Sequence, residues 1–423
     1  MPFYFRRLVW PAILCLGSSA GRAQDTSQAW SESQIIERFL AMSPQARELR
    51  ARVALTEAEM RVRTVYPNPL ASYSREGAGY NEFFEGAQML PVSGRLRYLR
   101  QAGAEAVSVT GANRDAALWS LRSDVRVVFF RMLGSQQRVQ LLSSSVDEVR
   151  QLVDLLRRRE EEGEGSRYDR LRAERELAEL RTDVTAARSP VAAAGARLSG
   201  YLPEGTEVLA VRGELSVLPD PPDLEALVRR ATAARADYLA EQKNLTRYQL
   251  EEQAARRLRI PEPQVTAGVK RADVIYGAGP NPFSNVTRTG LAFGFSVPLP
   301  VFNNGRYEVA RYQAEQEQAN ARLAVLTRQI RTEIEGARAL VAIRKDALAA
   351  YQREMESTGG ELTRITQVAY QEGEIGILEL LDSLRVNRAS SLRLLDLRAA
   401  VKEAFIELER VVGEELSTME VRP

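Results

Sequence analysis

The chain has 423 residues, a nearly balanced charge of 58 basic and 56 acidic side chains, one cysteine and no histidine. The lack of histidine removes the commonest general base and metal ligand. No phosphate-cradling glycine loop or nucleophile elbow occurs either. We therefore predict no catalytic residues, no resident metal and no cofactor. The charge balance gives no support for nucleic-acid binding.

The first 23 residues are predicted to be a secretory signal peptide. Arg6 and Arg7 precede an apolar stretch, and small residues up to Ala23 form the cleavage site. Cys15, the single cysteine, lies inside this leader, so the mature chain would contain no thiol. Lipid acylation of the cysteine is disfavoured, because Leu14 stands where a lipid-anchor signal needs a small residue.

The mature chain repeats one order of parts. Residues 37–202 and 224–412 each contain a helical segment ending at proline, a strand, a glycine-rich loop, a returning strand, a helix of about 65 residues, a Glu-Gly-Glu turn and a second long helix. The predicted divisions are therefore a signal peptide (1–23), a first repeat (24–202), a linker (203–223), a second repeat (224–412) and a C-terminal tail (413–423).

Four strands are predicted, two in each repeat. Their ranges are Leu70–Arg75, Phe84–Val92, Gln264–Arg271 and Leu291–Val297. The last one has an apolar face of Leu291, Phe293, Phe295 and Val297 and a small or polar face of Ala292, Gly294 and Ser296. Such alternation is typical of a transmembrane β-barrel strand, so the apolar face is predicted to contact lipid. The first-repeat strands alternate less clearly, and an ordinary loop is the alternative for them.

Four strands are too few to close a barrel. An open sheet edge in lipid leaves backbone groups unpaired at several kcal/mol each, so closure is predicted to come from several chains. The strand-to-helix joints are predicted at Pro91, Gly94, Pro298, Pro300 and Gly305, since proline ends strand pairing. The helices that follow would extend on the order of 100 Å at 1.5 Å per residue, away from the membrane.

Two segments resemble the TolC family of outer-membrane efflux ducts. Gly-Phe-Ser-Val-Pro-Leu-Pro-Val-Phe-Asn-Asn-Gly-Arg (residues 294–306) is similar to the family's strand-to-helix joint, especially in its heavy-metal (CzcC-like) branch. Tyr-Gln-Glu-Gly-Glu-Ile-Gly-Ile-Leu-Glu-Leu-Leu-Asp-Ser (residues 370–383) is similar to the family's periplasmic tip. The repeated order of helices and strands is also similar to that of the family, so the resemblance covers essentially the whole mature chain.

The resemblance implies a mainly α fold with a small β part. Long antiparallel coiled-coil hairpins and four transmembrane strands per chain would form a homotrimer with a 12-stranded barrel in the outer membrane of a Gram-negative bacterium and an α-helical barrel in the periplasm. The implied partners are outer-membrane lipid, a periplasmic adaptor protein and an inner-membrane pump of the resistance-nodulation-division (RND) type. The implied function is a passive exit duct of a tripartite efflux system.

Other functions remain open at this stage. A type I protein secretion channel would share the same architecture. A periplasmic adaptor protein is a different class, expected to have one hairpin and soluble β domains instead of two alternating strand pairs. Within the duct, metal ions, drugs and secreted proteins all remain candidate cargo.

The two hairpin tips are the predicted adaptor contacts. The residues are Glu162, Gly163, Glu164, Glu372, Gly373, Glu374, Ile375 and Gly376. Glycine at these turns permits the backbone reversal. Glu379 and Asp382 are the candidate pore constriction at the narrowest part of the tunnel. They lie one helical turn apart, and threefold symmetry would place them in rings that attract cations if they face the tunnel. A solvated outer face is the alternative. Arg170 and Arg172 stand where the second repeat has Leu380 and Asp382, so the two tips are not expected to be equivalent.

Overall fold

The computed structural model describes residues 29–76, 81–215, 218–276 and 284–416. The predicted signal peptide with Cys15 lies outside the described residues, as do residues 417–423 of the predicted tail. The described elements are α1 (Glu32–Met42), α2 (Pro44–Arg63), β1 (Leu70–Glu76), β2 (Asn81–Met89), α3 (Arg95–Glu161), α4 (Arg167–Tyr201), α5 (Leu224–Ala234), α6 (Ala236–Arg256), a 3₁₀ turn (Arg257–Arg259), β3 (Gln264–Tyr276), β4 (Ser284–Ser296), α7 (Arg306–Gln371) and α8 (Ile377–Val412).

The order of two helices, two strands, a long helix and a returning helix occurs twice along the chain. The long helices α3 and α7 contain 67 and 66 residues. The predicted class, mainly helical with a small antiparallel sheet, is confirmed. No helix in the described ranges contains an apolar stretch of the length that crosses a bilayer.

The short helices start at well-formed caps. Ser31 and Gln34 form a capping box at α1, in which each side chain bonds the other residue's backbone N–H. Ser43 caps α2, and Pro44 is the first residue of this helix. The missing N–H of proline costs no hydrogen bond there, because the first N–H groups of a helix have no partner within the helix. These caps fix where the helices begin and hence how they approach the long helices.

The four strands form one antiparallel sheet in the order β1-β2-β3-β4. One row of paired residues runs Tyr73, Phe84, Val269 and Leu291 across all four strands. In the described sheet, β1 and β4 each pair on one side only. The two repeats therefore meet at the β2–β3 pairing in the middle of one continuous sheet.

All four predicted strands exist, but their predicted bounds were wrong in part. The strand predicted over Phe84–Val92 spans Asn81–Met89, because Pro91 has no N–H to continue the ladder. The strand predicted over Gln264–Arg271 continues to Tyr276. The strand predicted over Leu291–Val297 begins earlier, at Ser284. The added residues of the two strands pair with one another, for example Asp273 with Thr287, so cross-strand pairing and not the hydrophobic alternation of one strand sets these ends. Val297 lies just beyond the end of β4.

Three apolar cores hold the described helices together. One joins α1, α3 and α4 and includes Ile406 of α8. A second joins α5, α7 and α8 around Phe405 and Leu408. The third lies near the hairpin ends, where α3 and α4 pack on the start of α8. Val341 and Leu348, which are seven residues apart on α7, are both buried.

Candidate functional site: the hairpin tips, the sheet and the joints

Both hairpins reverse through the same hydrogen-bonded turn. In the first, Gly163 N–H donates to the Glu160 carbonyl at 3.1 Å and Glu164 N–H donates to the Arg159 carbonyl at 2.9 Å. The second turn repeats this pattern at Gly373 and Glu374, with distances of 3.2 and 2.8 Å. This pair of bonds defines a Schellman motif, which needs a left-handed residue after the helix. Gly163 and Gly373 supply it, with φ of 81° and 75°.

The first tip is held together by ion pairs. Arg170 donates to Glu160 at 2.5 Å and to Glu174 at 2.8 Å, so it links the two arms of the hairpin. The bonds from Arg170 and Arg157 hold the pKa of the Glu174 carboxyl below its ordinary value. Arg172 is exposed. In the first tip, the charge of Arg170 is therefore paired with carboxylates of both arms of the hairpin.

The second tip is apolar on its inner side. Leu380, which occupies the position of Arg170, is buried together with Ile377 and Leu381. Tyr370 packs against the same cluster, and burial raises the pKa of its hydroxyl. The different chemistry of the two tips agrees with the expectation that they are not equivalent.

The remaining predicted tip residues lie at the surface of the single chain. Glu162, Glu164, Glu372, Glu374 and Gly376 are exposed, and Ile375 is half-buried. Glu379 and Asp382 are exposed as well, on the side of α8 away from its buried leucines. The structure brings these two carboxylates onto one helix face, and their orientation toward a tunnel stays a prediction.

A charged contact between the hairpins was missed from the sequence. Glu176 of α4 is only 4% exposed and accepts hydrogen bonds from Arg385, with its Nε at 2.9 Å, and from Arg388 at 3.4 Å, both on α8. Burial alone would raise the pKa of this carboxyl, but the two guanidinium groups outweigh it and the pKa is lowered. We call this triad the tip clamp. The sequence feature that could have indicated it is a glutamate at a position within the apolar stripe of Ala173, Leu177 and Leu180.

The tip clamp should control local opening of the hairpin ends. Glu176→Gln keeps the side-chain shape but removes the charge that both arginines bind, which should cost about 1–3 kcal/mol. Hydrogen exchange in the first turns of α8 should accelerate accordingly. Glu179→Gln is the control, because Glu179 is exposed and 3.8 Å from Arg385. Equal exchange in the two variants would contradict the clamp.

The clamp's pH dependence follows from its lowered pKa. Glu176 in the folded protein loses its charge only below the ordinary carboxyl pKa of about 4.3. Its contribution to stability is therefore present above that value and is lost as the pH falls through the lower, folded-state value. After correction for the intrinsic pH dependence of amide exchange, opening of α8 in the unmodified protein should rise in this acidic range, whereas Glu176→Gln should lack that step.

Near the joints, one side of the sheet is mainly apolar and the other is mainly small or polar, whereas farther from the joints the first side continues with the row Arg75, Glu82, Arg271 and Thr289. Leu291, Phe293 and Phe295 are 76%, 79% and 70% exposed and point to the same side as Val269 and Phe84. The opposite face contains charged groups, including Glu85 and Lys270, whose ammonium lies 4.9 Å from the Phe83 ring. The predicted lipid-facing residues of β4 therefore belong to an apolar face shared by several strands.

The strand-to-helix joints contain the predicted prolines and glycines. Pro91 follows Leu90, whose N–H makes a bond of 2.8 Å to the Pro263 carbonyl, and Pro298 and Pro300 follow the end of β4. Gly94 and Gly305 precede α3 and α7 with φ of 72° and 82°. A Cβ on Gly305 would lie 2.6 Å from the Ala255 carbonyl oxygen, so the close approach to α6 requires glycine.

No group of three or more cysteine, aspartate or glutamate side chains in the described ranges is arranged to hold a metal ion. The buried carboxylates Glu251 and Glu252 accept hydrogen bonds from other helices: Glu251 from Arg63 and Tyr312, and Glu252 from Gln313 and Gln316 of α7. These carboxylates connect helices.

Comparison with known proteins agrees with the geometry. No protein-family model matches the sequence. The chain is 26% identical over 378 residues to the cobalt-zinc-cadmium resistance protein CzcC of Cupriavidus metallidurans, covering 85% of this chain and 84% of that protein.

Several solved structures have the same fold. The outer-membrane channel OprN superposes with a TM-score of 0.68 at 19% identity, covering 91% of this chain and 90% of that one. The open-state MtrE outer membrane channel of Neisseria gonorrhoeae gives 0.67 at 18% identity, covering 90% and 89%. CusC, a protein that forms a transmembrane channel, gives 0.67 at 18% identity, covering 91% and 92%. The similarity to CzcC and the fold shared with solved outer-membrane channels support the resemblance to the TolC family and to its heavy-metal branch.

Proposed function

We propose that this protein is the outer-membrane exit duct of a tripartite efflux system. The observation that carries the proposal is a four-stranded sheet with one exposed apolar face, continued at its joints by helices of 66 and 67 residues. Such a sheet suits a lipid-facing wall, and such helices extend on the order of 100 Å beyond it. A wall joined to a long helical extension is what a duct across the outer membrane and periplasm needs.

In the proposed assembly, three chains contribute four strands each to a 12-stranded barrel. Pairing of β4 with β1 of the next chain would satisfy both edges that remain open in the single chain. The two repeats (24–202 and 224–412), joined by the 203–223 linker, would alternate around the wall and continue as an α-helical barrel. Residues 1–23 would direct export and be removed.

The duct is passive in this proposal. An inner-membrane pump of the RND type would supply the driving force, and a periplasmic adaptor would hold the tips around Gly163 and Gly373. The similarity to a cobalt-zinc-cadmium resistance protein supports divalent metal ions as cargo. The two hairpins and the shared apolar sheet favour this function over a periplasmic adaptor protein, and the metal-resistance relative favours it over protein secretion.

The purified protein should be a trimer that requires detergent. Closing both sheet edges removes unpaired backbone groups from lipid, so the closed ring is strongly preferred over one chain. Mass measurement of the protein–detergent complex, corrected for bound detergent, checks this expectation. A stable water-soluble monomer would falsify the architecture.

Neutralising the tip carboxylates should alter ion selectivity. Glu379→Gln combined with Asp382→Asn would remove the proposed negative rings at the constriction, so the preference for cations should fall. The reversal potential of single channels in planar bilayers under a salt gradient measures this preference. The charge-conserving pair Glu379→Asp and Asp382→Glu is the control. Unchanged selectivity in the neutral variant would mean that these residues do not line the constriction. The proposal that the protein is a duct would still stand.

A further inference from the structure

A cavity of about 380 Å³ lies where the two strand-to-helix joints meet the end of α6. Its apolar wall includes Leu258, Ile260, Leu299 and Phe302. Its polar wall contains Arg95, Arg257, Ser93 and Glu262. We call it the joint cavity. It lies outside the hairpin tips and outside the predicted constriction.

The joint cavity carries a positive charge that the described residues do not neutralise. The Nε atom of Arg95 is buried and meets no hydrogen-bond acceptor among them. Arg257 stacks on Tyr98, 5.6 Å from the ring centre, and forms no salt bridge with a described residue. Glu262 is already bonded by the Ser93 hydroxyl at 2.5 Å. The cavity is lined by two guanidinium groups and by one carboxylate, which already accepts a hydrogen bond, so its net charge is positive and favours an anionic ligand. Guanidinium groups bind phosphate oxygens particularly well.

An exposed apolar collar adjoins the joint cavity. Leu299, Val301 and Phe302 are 75%, 70% and 96% exposed, and they follow directly on the apolar face of β4. In the proposed duct, this level is the periplasmic boundary of the membrane. A ligand that matches both features has an anionic phosphate for the cavity and an acyl chain for the collar.

We propose that the joint cavity binds the headgroup of an anionic phospholipid from the periplasmic leaflet of the outer membrane. Arg95 and Arg257 would bind the phosphate, and the acyl chain would lie along Leu299 and Phe302 toward Phe295. This inference rests on the membrane placement in the proposed function. It assigns a lipid-binding role to side chains outside the hairpin tips.

Native mass spectrometry of the purified full chain in detergent, titrated with phosphatidylglycerol, tests the site. Arg95→Gln combined with Arg257→Gln should weaken binding about tenfold, since two charge-assisted contacts are lost. The control is Arg97→Gln combined with Arg259→Gln, two exposed arginines on the same segments that do not line the cavity. It should bind as the unmodified protein does. Phosphatidylcholine should bind more weakly, and inorganic phosphate should not compete, because it lacks the acyl chain.

Equal phosphatidylglycerol binding by the two double variants would overturn the inference. A trimer that retains no phosphatidylglycerol would overturn it too, and would indicate that a neighbouring copy covers the cavity. Single-channel recording separates this result from failure of the duct. If the unmodified protein conducts ions while its lipid binding is insensitive to Arg95 and Arg257, only the lipid site is wrong.

Discussion

Replacing Phe293 with arginine is expected to prevent most of the protein from assembling in the outer membrane. The side chain is 79% exposed on the apolar face of β4, between Leu291 and Phe295. In the proposed barrel it would contact the hydrocarbon core, where arginine costs about 2–4 kcal/mol near the midplane. The amount of folded trimer in outer-membrane fractions, and its resistance to urea in lipid vesicles, measure the effect.

Two control variants separate the face of the strand from its depth. Ala292→Arg is at nearly the same depth as Phe293 but on the opposite face, and Ser296→Arg is on that opposite face at the end of β4. Both should assemble much better than Phe293→Arg, since an arginine on the lumen side remains in water. Similar losses in all three variants would contradict the proposed strand orientation.

Replacing Glu409 with glutamine should destabilise the fold by about 3–5 kcal/mol. Glu409 is fully buried and binds Arg126 of α3 at 2.5 Å, and Arg126 also binds Glu32 of α1 at 2.5 Å. The variant leaves a buried guanidinium with only one carboxylate. Urea unfolding of the detergent-solubilised protein should show a clearly lower midpoint.

The control for this change lies on the same helix. Glu403 pairs with Arg131 at 2.8 Å, but the two side chains are 28% and 54% exposed. Solvent-exposed pairs contribute about 0–1 kcal/mol, so Glu403→Gln should change the midpoint little. If the two variants unfolded at the same urea concentration, the buried pair would have no special role.

The sequence predicted the helices well because their signals are local. The second long helix predicted at the end of the 224–412 repeat corresponds to α8, since a glycine stands at each end and the apolar positions recur at helical spacing between them. The two glycine turns were identified for the same reason. Strand bounds were poorer, because the ends of β3 and β4 farthest from the joints are fixed by pairing with each other and not by alternation within one strand.

The charged contacts were beyond what the sequence could predict. Glu176 and Arg385 are 209 positions apart, and Arg126 and Glu409 are 283 apart. Periodicity identifies which side of a helix is buried, but it does not identify the helix that covers it. Glu176 therefore looked like one charge among many, although its place in an apolar stripe was visible.

The packing of α8 sets an order in which the chain can reach its native state. Ile406 completes the core around α1 and α3, while Phe405 and Leu408 complete the core around α5 and α7. Since α8 follows all other described helices along the chain, neither core can close while the chain is still emerging from the export machinery. Contacts over such separations form slowly and leave apolar surface open to aggregation in the meantime. The exported chain should thus depend on periplasmic chaperones until its final long helix arrives.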